Sequence, residues 1–200
     1  MASDEGCLLT ANGDSVITIY TKGEGSEGMF TIPSYSSTIK CAAVSVRYHM
    51  CVCGTRDGNI LFCSLNNRSI TRIVSLGERR ASSILITKGR GFVVIHSTDL
   101  SCGSLKHYLS LYSVSGDLIR EKELHSGVQA WSTEVDEKGF DYITLADELG
   151  DIFLFEAFYL DVYNPLLSIL DDSIIEIKYM QSENIVLAVT SLGKVVFIPV

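Results

Sequence analysis

The 200-residue sequence contains no run of 18 or more consecutive apolar residues. A run of that length is the usual mark of a transmembrane helix, so none is expected. The first residues, Met1-Ala-Ser-Asp-Glu-Gly6, also lack the basic segment and the long apolar segment of a secretory signal peptide. We therefore expect a cytoplasmic or nuclear protein.

The chain also lacks an excess of positive charge. It has 16 lysines and arginines against 24 aspartates and glutamates, which gives a net charge of −8. A nucleic-acid-binding surface needs a basic face, so the charge argues against that class of partner and, more weakly, against docking on anionic lipid. Only 20% of the residues are charged and 46% are hydrophobic. This composition is sufficient for a sizeable core.

Motifs for catalysis and for phosphate binding are missing. His49, His96, His107 and His125 are scattered along the chain, with no Ser-His-Asp order and no nucleophile elbow. The glycine-rich stretch 23–28 carries two glutamates, which would repel a phosphate. We therefore expect neither an enzyme nor a bound cofactor.

The six cysteines do not form a recognisable metal site. Cys51 and Cys53 are two residues apart on a predicted strand and share a face, but no second pair of ligands follows nearby. We interpret them as apolar core residues, and Cys102, in a polar loop, as an exposed thiol. The acidic cluster at 147–151 does not match the spacing of a calcium loop. No metal is expected.

What the sequence does contain is a five-fold repeat of one short strand. The segments end at Tyr20, Cys63, Tyr112, Phe155 and Ile198, which lie 43 or 49 residues apart. Repeats of this length that consist only of strands and turns are typical of a β-propeller with four strands per blade. We expect an all-β fold of the WD-repeat propeller type, in part: about five four-stranded blades, with the first and last incomplete.

The second repeat shows the plan most clearly. Strands are predicted at 42–47, 50–55, 60–65 and 70–76, and Asp57-Gly58 forms the turn before the third strand. Gly150 and Gly193 occupy the same place in later repeats, where a tight turn needs a positive φ. The third repeat is longer because a polar insertion, 97–106, separates its second and third strands. Insertions in repeat proteins often lie on the binding face.

The repeats divide one domain, 1–200, into blades at approximately 6–34, 39–77, 81–125, 127–170 and 173–200. The first blade is predicted to have only its last three strands, and the fifth ends after its third. We infer from this that N-terminal blades are missing or that the chain pairs with another one, because an uncovered blade exposes strand edges.

The pattern resembles the WD-repeat family in degraded form. The usual Trp-Asp pair is replaced by Tyr20-Thr21, Cys63-Ser64, Tyr112-Ser113, Phe155-Glu156 and Ile198-Pro199. The aspartate of the preceding turn survives as Asp57 and in a similar place as Asp14, and the Gly-His pair is absent. The family's hydrogen-bond network is therefore not expected, and the blades should pack through apolar side chains.

Residues 41–200 are more specifically similar to the last WD repeats of BEACH-domain proteins of the beige and neurobeachin type. The similarity is carried by Cys53-Gly-Thr-Arg-Asp-Gly58, Gly91-Phe-Val-Val-Ile-His-Ser-Thr98, Leu109-Ser-Leu-Tyr-Ser-Val-Ser-Gly-Asp-Leu118 and the final strand 193–200. The resemblance implies a large scaffold in vesicle traffic, lysosome-related organelles or autophagy, peripheral to vesicle membranes through its partners. Its partners would be proteins, together with an upstream BEACH domain or further blades; no part of a BEACH domain lies in these residues.

Charge and insertion concentrate in the turns, which makes them the candidate partner-binding sites. The candidate residues are Arg56, Asp57, Asp99, Ser101, Lys106, Trp131, Asp147 and Glu148. Trp131 is included because aromatic anchors are common hot spots, although a core position is the more ordinary reading.

Two other classes of function stay open. One is a WD-repeat adaptor of a different assembly, such as a ubiquitin-ligase receptor or a coat subunit. The other is a propeller hydrolase, which would need acids at the start of the innermost strands. Those strands begin with Lys40, Ala81, Gln129 and Ser173, which disfavours the enzyme.

Overall fold

The computed structural model describes residues 2–4, 7–11, 17–21, 28–32, 37–101, 103–161, 165–168 and 172–200. These residues form 19 strands and one short 3-10 turn, Gln181–Glu183. The protein is therefore all-β. In the part of the chain described, no helix has the length and apolar character needed to cross a membrane. Asp14, Cys102 and most of the glycine-rich stretch 23–28 lie outside the described residues.

The strands form five antiparallel sheets, and each sheet uses strands that follow one another in sequence. The first sheet contains β1 (Ala2–Asp4), β2 (Cys7–Ala11), β3 (Ile17–Thr21) and β4 (Gly28–Ile32). The second contains β5 (Ile39–Ser45), β6 (Met50–Thr55), β7 (Asn59–Ser64) and β8 (Ser69–Ser75). The third contains β9 (Arg80–Ile86), β10 (Val93–Asp99), β11 (Lys106–Tyr112) and β12 (Leu118–Leu124).

The remaining strands complete the series. The fourth sheet contains β13 (Val128–Val135), β14 (Asp141–Asp147), β15 (Asp151–Glu156) and β16 (Leu167–Ser168). The fifth has three strands, β17 (Ile174–Met180), β18 (Ile185–Thr190) and β19 (Val195–Pro199). Because hairpin connections join neighbouring strands, every sheet forms from a short stretch of chain, as the repeat predicts.

The strands in the middle of each sheet are buried on both faces. Every residue of β6 is buried, and in β7 only the two end residues are partly exposed. The outermost strands β8 and β12 instead contain no fully buried residue, and about half of their residues are exposed. This difference indicates that sheets pack against each other through both faces, with the outer strand at the periphery.

The core consists of apolar layers between successive sheets. Val52 and Phe62 of the second sheet pack in one cluster with Ile84 and Ile95 of the third. A second cluster joins the third and fourth sheets and a third joins the fourth and fifth. The first strands of neighbouring sheets also lie beside one another, β5 along β9 and β13 along β17.

A buried carboxylate links the third and fourth sheets. The carboxylate of Asp141, buried at the start of β14, accepts hydrogen bonds from the turn between β9 and β10. Its donors are the Thr87 hydroxyl at 2.9 Å, the Gly89 N–H at 2.6 Å and the Arg90 N–H at 2.8 Å. The fourth sheet thereby holds the turn of the third.

The structure differs from the sequence-based expectation at three places. The first sheet has four strands instead of three, because residues 2–4 pair with residues 7–9. The insertion in the third repeat is shorter than 97–106, since β10 extends to Asp99 and β11 begins at Lys106, its register partner. The first strand of the second sheet, expected at 42–47, is observed at Ile39–Ser45.

Candidate functional site: the turns at one end of the sheets

Turns between second and third strands lie at the same end of the molecule as the connections between sheets. Backbone hydrogen bonds join the two: Leu76 N–H donates to Gly58 O at 2.8 Å, Glu148 N–H to Gly127 O at 2.9 Å, and Ser191 N–H to Ser173 O at 2.8 Å. We call this end the site end. It comprises the turns 56–58, 100–101 with 103–105, 148–150 and 191–193, and the connections 76–79, 125–127 and 172–173.

Side chains at the end of the second strands build these turns. Thr55 Oγ1 accepts a hydrogen bond from Asn59 N–H at 3.0 Å, Asp147 Oδ1 from Asp151 N–H at 2.8 Å, and Thr190 Oγ1 from Lys194 N–H at 3.2 Å. Each acceptor lies three residues before the turn glycine. The glycines were predicted from the sequence and these capping residues were not, although the repeated Thr/Asp-x-x-Gly spacing is a usable signal.

Arg56 and Asp57 are both exposed at the tip of the turn in the second sheet. The Thr55 hydroxyl donates to the Asp57 carboxylate, and this hydrogen bond lowers the pKa of Asp57. Gly58, with φ of +82°, lies against the carbonyl oxygens of Gly77 and Arg79. The turn therefore presents its charges from a fixed backbone.

The loop of the third sheet carries three of the candidate residues. Asp99 Oδ1 accepts a hydrogen bond from Ser101 N–H at 2.8 Å, and hydrogen bonds from Ser101 lower the pKa of the Asp99 carboxyl. Lys106 Nζ lies 3.3 Å from Glu123 Oε1 on the outer strand. Leu100 and Leu105 are 67% and 51% exposed in the same loop, which the sequence analysis did not anticipate.

Asp147 and Glu148, in the same turn of the fourth sheet, differ in burial and in role. Asp147 is buried, and its second carboxylate oxygen accepts a hydrogen bond from the Ser126 hydroxyl, so its oxygens hold the turn together. Glu148 is exposed beside it. Among the acids of this turn, Glu148 is the side chain that a partner can reach directly.

Trp131 lies apart from the other candidates. It is half-buried in the middle of β13, opposite Leu145, and packs against the apolar cluster between the third and fourth sheets. The structure therefore brings seven of the eight candidate residues to the site end and leaves Trp131 in the packing layer.

Two concave regions open near the site end. A cavity of about 340 Å³ lies between the third and fourth sheets, lined among others by His125, Asp147, Leu149 and Phe153. A second, of about 270 Å³, lies beside the loop of the third sheet and is lined by Glu78, Arg80, Thr98, Leu100 and Ser101. Both combine apolar and charged walls, which suits the side chains of a protein partner.

The cysteines described in the core are free thiols. Cys51 and Cys63 are direct register partners on β6 and β7, and both are fully buried with Cys53. The hydrogen bond with Cys51 and burial raise the pKa of Cys63, and burial raises that of Cys41 to about 11. Across the described residues, no three His, Cys, Asp or Glu side chains gather as metal ligands.

His96 and His107 form a pair that the sequence analysis treated as scattered residues. Their strands are neighbours, and His96 Nε2 lies 3.2 Å from His107 Nδ1 with the two rings stacked. Burial and the neighbouring His107 lower the pKa of His96 to about 4. The His96 ring is therefore neutral near pH 7. Within the pair, one ring nitrogen donates to the other.

Comparison with known proteins finds similar structures at low sequence identity. No family model matches the chain, and no curated protein does. The computationally designed Ika4 protein is similar with a TM-score of 0.61 at 13% identity, over 84% of this chain and 95% of Ika4. The designed Ika8 protein is similar with a TM-score of 0.65 at 13% identity, over 98% of this chain and 56% of Ika8. At such identity the likeness concerns the fold alone.

Proposed function

We propose that this chain is a non-enzymatic protein-interaction module that presents its site end to a protein partner. The observation that carries the proposal is the exposure of apolar turn tips among charges at that end. Leu100, Leu105, Leu149 and Leu192 are 67%, 51%, 60% and 71% exposed. Exposed leucines surrounded by charged residues have the composition of a protein interface, in which apolar anchors are enclosed by a polar rim.

The turns are suited to binding because they are already ordered. The carboxylate or hydroxyl of Thr55, Asp147 and Thr190 fixes each tip by hydrogen bonds to backbone N–H groups. Binding of a partner then costs little free energy for ordering the loops of this chain. The mechanism is surface presentation, in which the sheets hold the turns and the turns contact the partner.

Charge differs between the two halves of the site end. At the turns of the second and third sheets, basic and acidic residues are mixed: Arg56, Arg80 and Lys106 with Asp57, Glu78 and Asp99. At the turns of the fourth and fifth sheets, Glu148, Asp151 and Asp172 outnumber Lys194. A basic segment of a partner would match this acidic half. Such complementarity acts mainly on partner choice and on the association rate.

The architecture we propose is a WD-type propeller segment, with each sheet as a blade. The 43- or 49-residue repeat, the sheets formed from consecutive strands and the side-by-side first strands support it. The resemblance of residues 41–200 to the last repeats of BEACH-domain proteins supports a place in a scaffold of vesicle or membrane trafficking. Reading the coding frame upstream of Met1 in the native transcript tests this point: further repeats and a BEACH domain are expected, and a frame without them contradicts it.

Replacement of the third-sheet loop tests the interaction function. Residues 100–105 are exchanged for a short Gly-Ser linker, which leaves the β10–β11 pairing through Asp99 and Lys106 intact. Quantitative affinity capture from cytosol should then lose at least one partner by tenfold or more. The matched control exchanges Glu137 and Lys138, exposed in a turn at the opposite end, for Gly-Ser and should retain that partner. Equal capture by all three proteins would contradict the proposal.

A further inference from the structure

The apolar layer between the third and fourth sheets reaches the surface at the site end, in the cavity of about 340 Å³. One wall of this cavity is the end of β12 with the connection 125–127, and the other is formed by β14, β15 and the turn between them. Leu124, Leu145 and Phe153 line it, and all three belong to the apolar cluster that joins the two sheets. Leu124 and Phe153 are only half-buried, so a molecule in the cavity would contact the edge of the core.

Leu149 extends this apolar surface from the turn between β14 and β15. Its side chain lines the cavity and is mostly exposed. Its backbone is fixed, because Leu149 N–H donates to Asp147 Oδ1 at 3.0 Å and Asp151 N–H donates to the same oxygen at 2.8 Å. A segment that entered the cavity would therefore cover an apolar rim that is already in place, with little cost for ordering the turn.

Acidic side chains outnumber basic ones around the cavity. Among the described residues that line it, Glu123, Asp147 and Asp151 are acidic, and Lys122 is the one lysine or arginine. Glu148 adds a further acid, since it lies in the same turn directly after Asp147 and is exposed. The cavity thus combines an apolar floor with an acidic mouth.

The fold also positions the carboxylate of Glu148. Glu148 N–H donates to Gly127 O at 2.9 Å, and a Cβ added to Gly127 would lie 2.5 Å from the carboxylate carbon of Glu148. The carboxylate therefore lies against the backbone of the connection 125–127, and a side chain at position 127 would have to displace it. His125 and Ser126 of the same connection line the cavity, so the charge of Glu148 is held beside its mouth.

We propose that this cavity binds a short basic segment of a protein partner, in which a bulky apolar residue enters the cavity and a neighbouring lysine or arginine pairs with Glu148. Ligand pockets have volumes of about 300–1,000 Å³, so this cavity is at the lower end of the range and suits one or two side chains. The inference rests on the proposed function, because it specifies the partner segment and the residues that contact it at the site end.

Charge selects this occupant. A cation at the mouth would compensate Glu148 when the bound segment excludes water, whereas an acidic or uncharged segment would leave that carboxylate partly desolvated without a counter-charge. Nucleic acid and anionic lipid would be repelled by the same acids. A second copy of this chain, with a net charge of −8, would on balance be repelled as well.

Peptide selection tests the proposal directly. A phage-displayed library of random peptides is selected on the immobilised 200-residue chain. We expect enrichment of sequences in which a leucine, isoleucine, methionine or aromatic residue is next to a lysine or arginine. Failure to enrich any sequence, or enrichment of peptides without a basic residue, would overturn the proposal.

Variants of the chain then assign the enriched peptide to the cavity. Glu148→Gln removes the charge and Leu149→Ala removes the apolar rim, and each should raise the Kd of the peptide at least fivefold in a fluorescence anisotropy titration. Their matched controls at the opposite end, Glu137→Gln and Leu118→Ala, also change exposed side chains and should leave the Kd unchanged. Circular dichroism checks that all four variants are folded. A Kd that is the same in the parent chain and in both cavity variants contradicts the proposal.

Affinity capture from cytosol separates this inference from the proposed function. Loss of the same partner from Glu148→Gln, from Leu149→Ala and from the chain with residues 100–105 replaced supports both. If the loop replacement loses partners that the two cavity variants retain, the site end binds protein but the cavity is not where the basic segment lies, and the inference fails alone. Retention of every partner by all three variants contradicts the inference and the proposed function together.

Discussion

Single residues set the geometry of each turn at the site end. Gly58 and Gly193 both hold positive φ, +82° and +79°, a region that other residues rarely adopt. Their surroundings differ: a Cβ on Gly58 would lie 2.6 Å from Arg79 O and 2.9 Å from Gly77 O, whereas a Cβ on Gly193 would meet nothing within 4 Å. An alanine would therefore cause similar backbone strain at both positions, but it would clash with neighbouring atoms only at position 58.

Alanine substitutions at Gly193 and Gly58 distinguish the cost of the backbone conformation from the cost of the steric clash. Gly193→Ala should lower the free energy of unfolding by about 1 kcal/mol, the cost of a left-handed conformation with a Cβ. Gly58→Ala should cost at least twice as much, because the carbonyl oxygens it meets belong to backbone that cannot rotate away. Urea titration of both variants measures the difference. Equal losses would show that the contact with the 77–79 connection is unimportant.

The His96–His107 pair gives the protein a pH-dependent stability. The pKa of His96 is lowered to about 4 in the folded state, while an unfolded histidine titrates near its usual value of about 6.5. Below pH 6.5 the unfolded state binds the proton first, so stability falls as the pH decreases, and the loss is complete below pH 4. The difference amounts to roughly 3 kcal/mol.

Chemical denaturation of the parent chain and of His96→Leu at pH 7.5 and pH 4.5 tests this assignment. The parent chain should lose more of its unfolding free energy between the two values than the variant does, because the variant lacks the group that gains a proton on unfolding. Carboxylates titrate in both proteins and cancel in the difference. Identical pH dependence would contradict the role of His96.

At the scale of elements, the turn of one sheet is held by the next. Asp141 at the start of β14 accepts three hydrogen bonds from the β9–β10 turn, and the same turn is contacted from the second sheet, where Arg47 donates to Lys88 O at 2.8 Å. Successive sheets are therefore held together by hydrogen bonds at their turns as well as by the apolar layers between them.

Asp141→Ala should lower the free energy of unfolding by about 3 kcal/mol, since it leaves the Gly89 and Arg90 N–H groups without their acceptor. Thr87→Val removes one of the three donors and should cost less. The exposed Asp161→Ala serves as the control and should change stability by under about 0.5 kcal/mol. Thermal unfolding of the three variants provides the comparison, and a loss for Asp141→Ala no larger than the control would refute the link.

At the scale of the whole molecule, the sequence repeat was sufficient to predict an all-β chain of short antiparallel sheets. The period and the turn glycines were sufficient because each sheet forms from consecutive strands, so no long-range pairing had to be inferred. The location of the candidate charges at one end follows from the same regularity, although their role in binding stays a prediction.

Features that depend on contacts between sheets could not be predicted. The His96–His107 pair requires the register of β10 and β11, and the Asp141 link joins residues from two different repeats. The short strand β1 was missed because three polar or small residues carry no alternating pattern. Asp147 looked like a surface acid from its neighbours, yet its oxygens are directed into the turn.

The most direct test of the interaction account compares two charge reversals that leave the net charge unchanged. One variant combines Arg56→Glu with Glu148→Lys at the site end, and the other combines Glu137→Lys with Lys138→Glu at the opposite end; all four residues are exposed. Affinity capture with quantitative mass spectrometry should show partners lost at least tenfold with the first variant and retained with the second. Retention of every partner by the site-end variant, or equal loss with both, would contradict the claim that the site end binds protein.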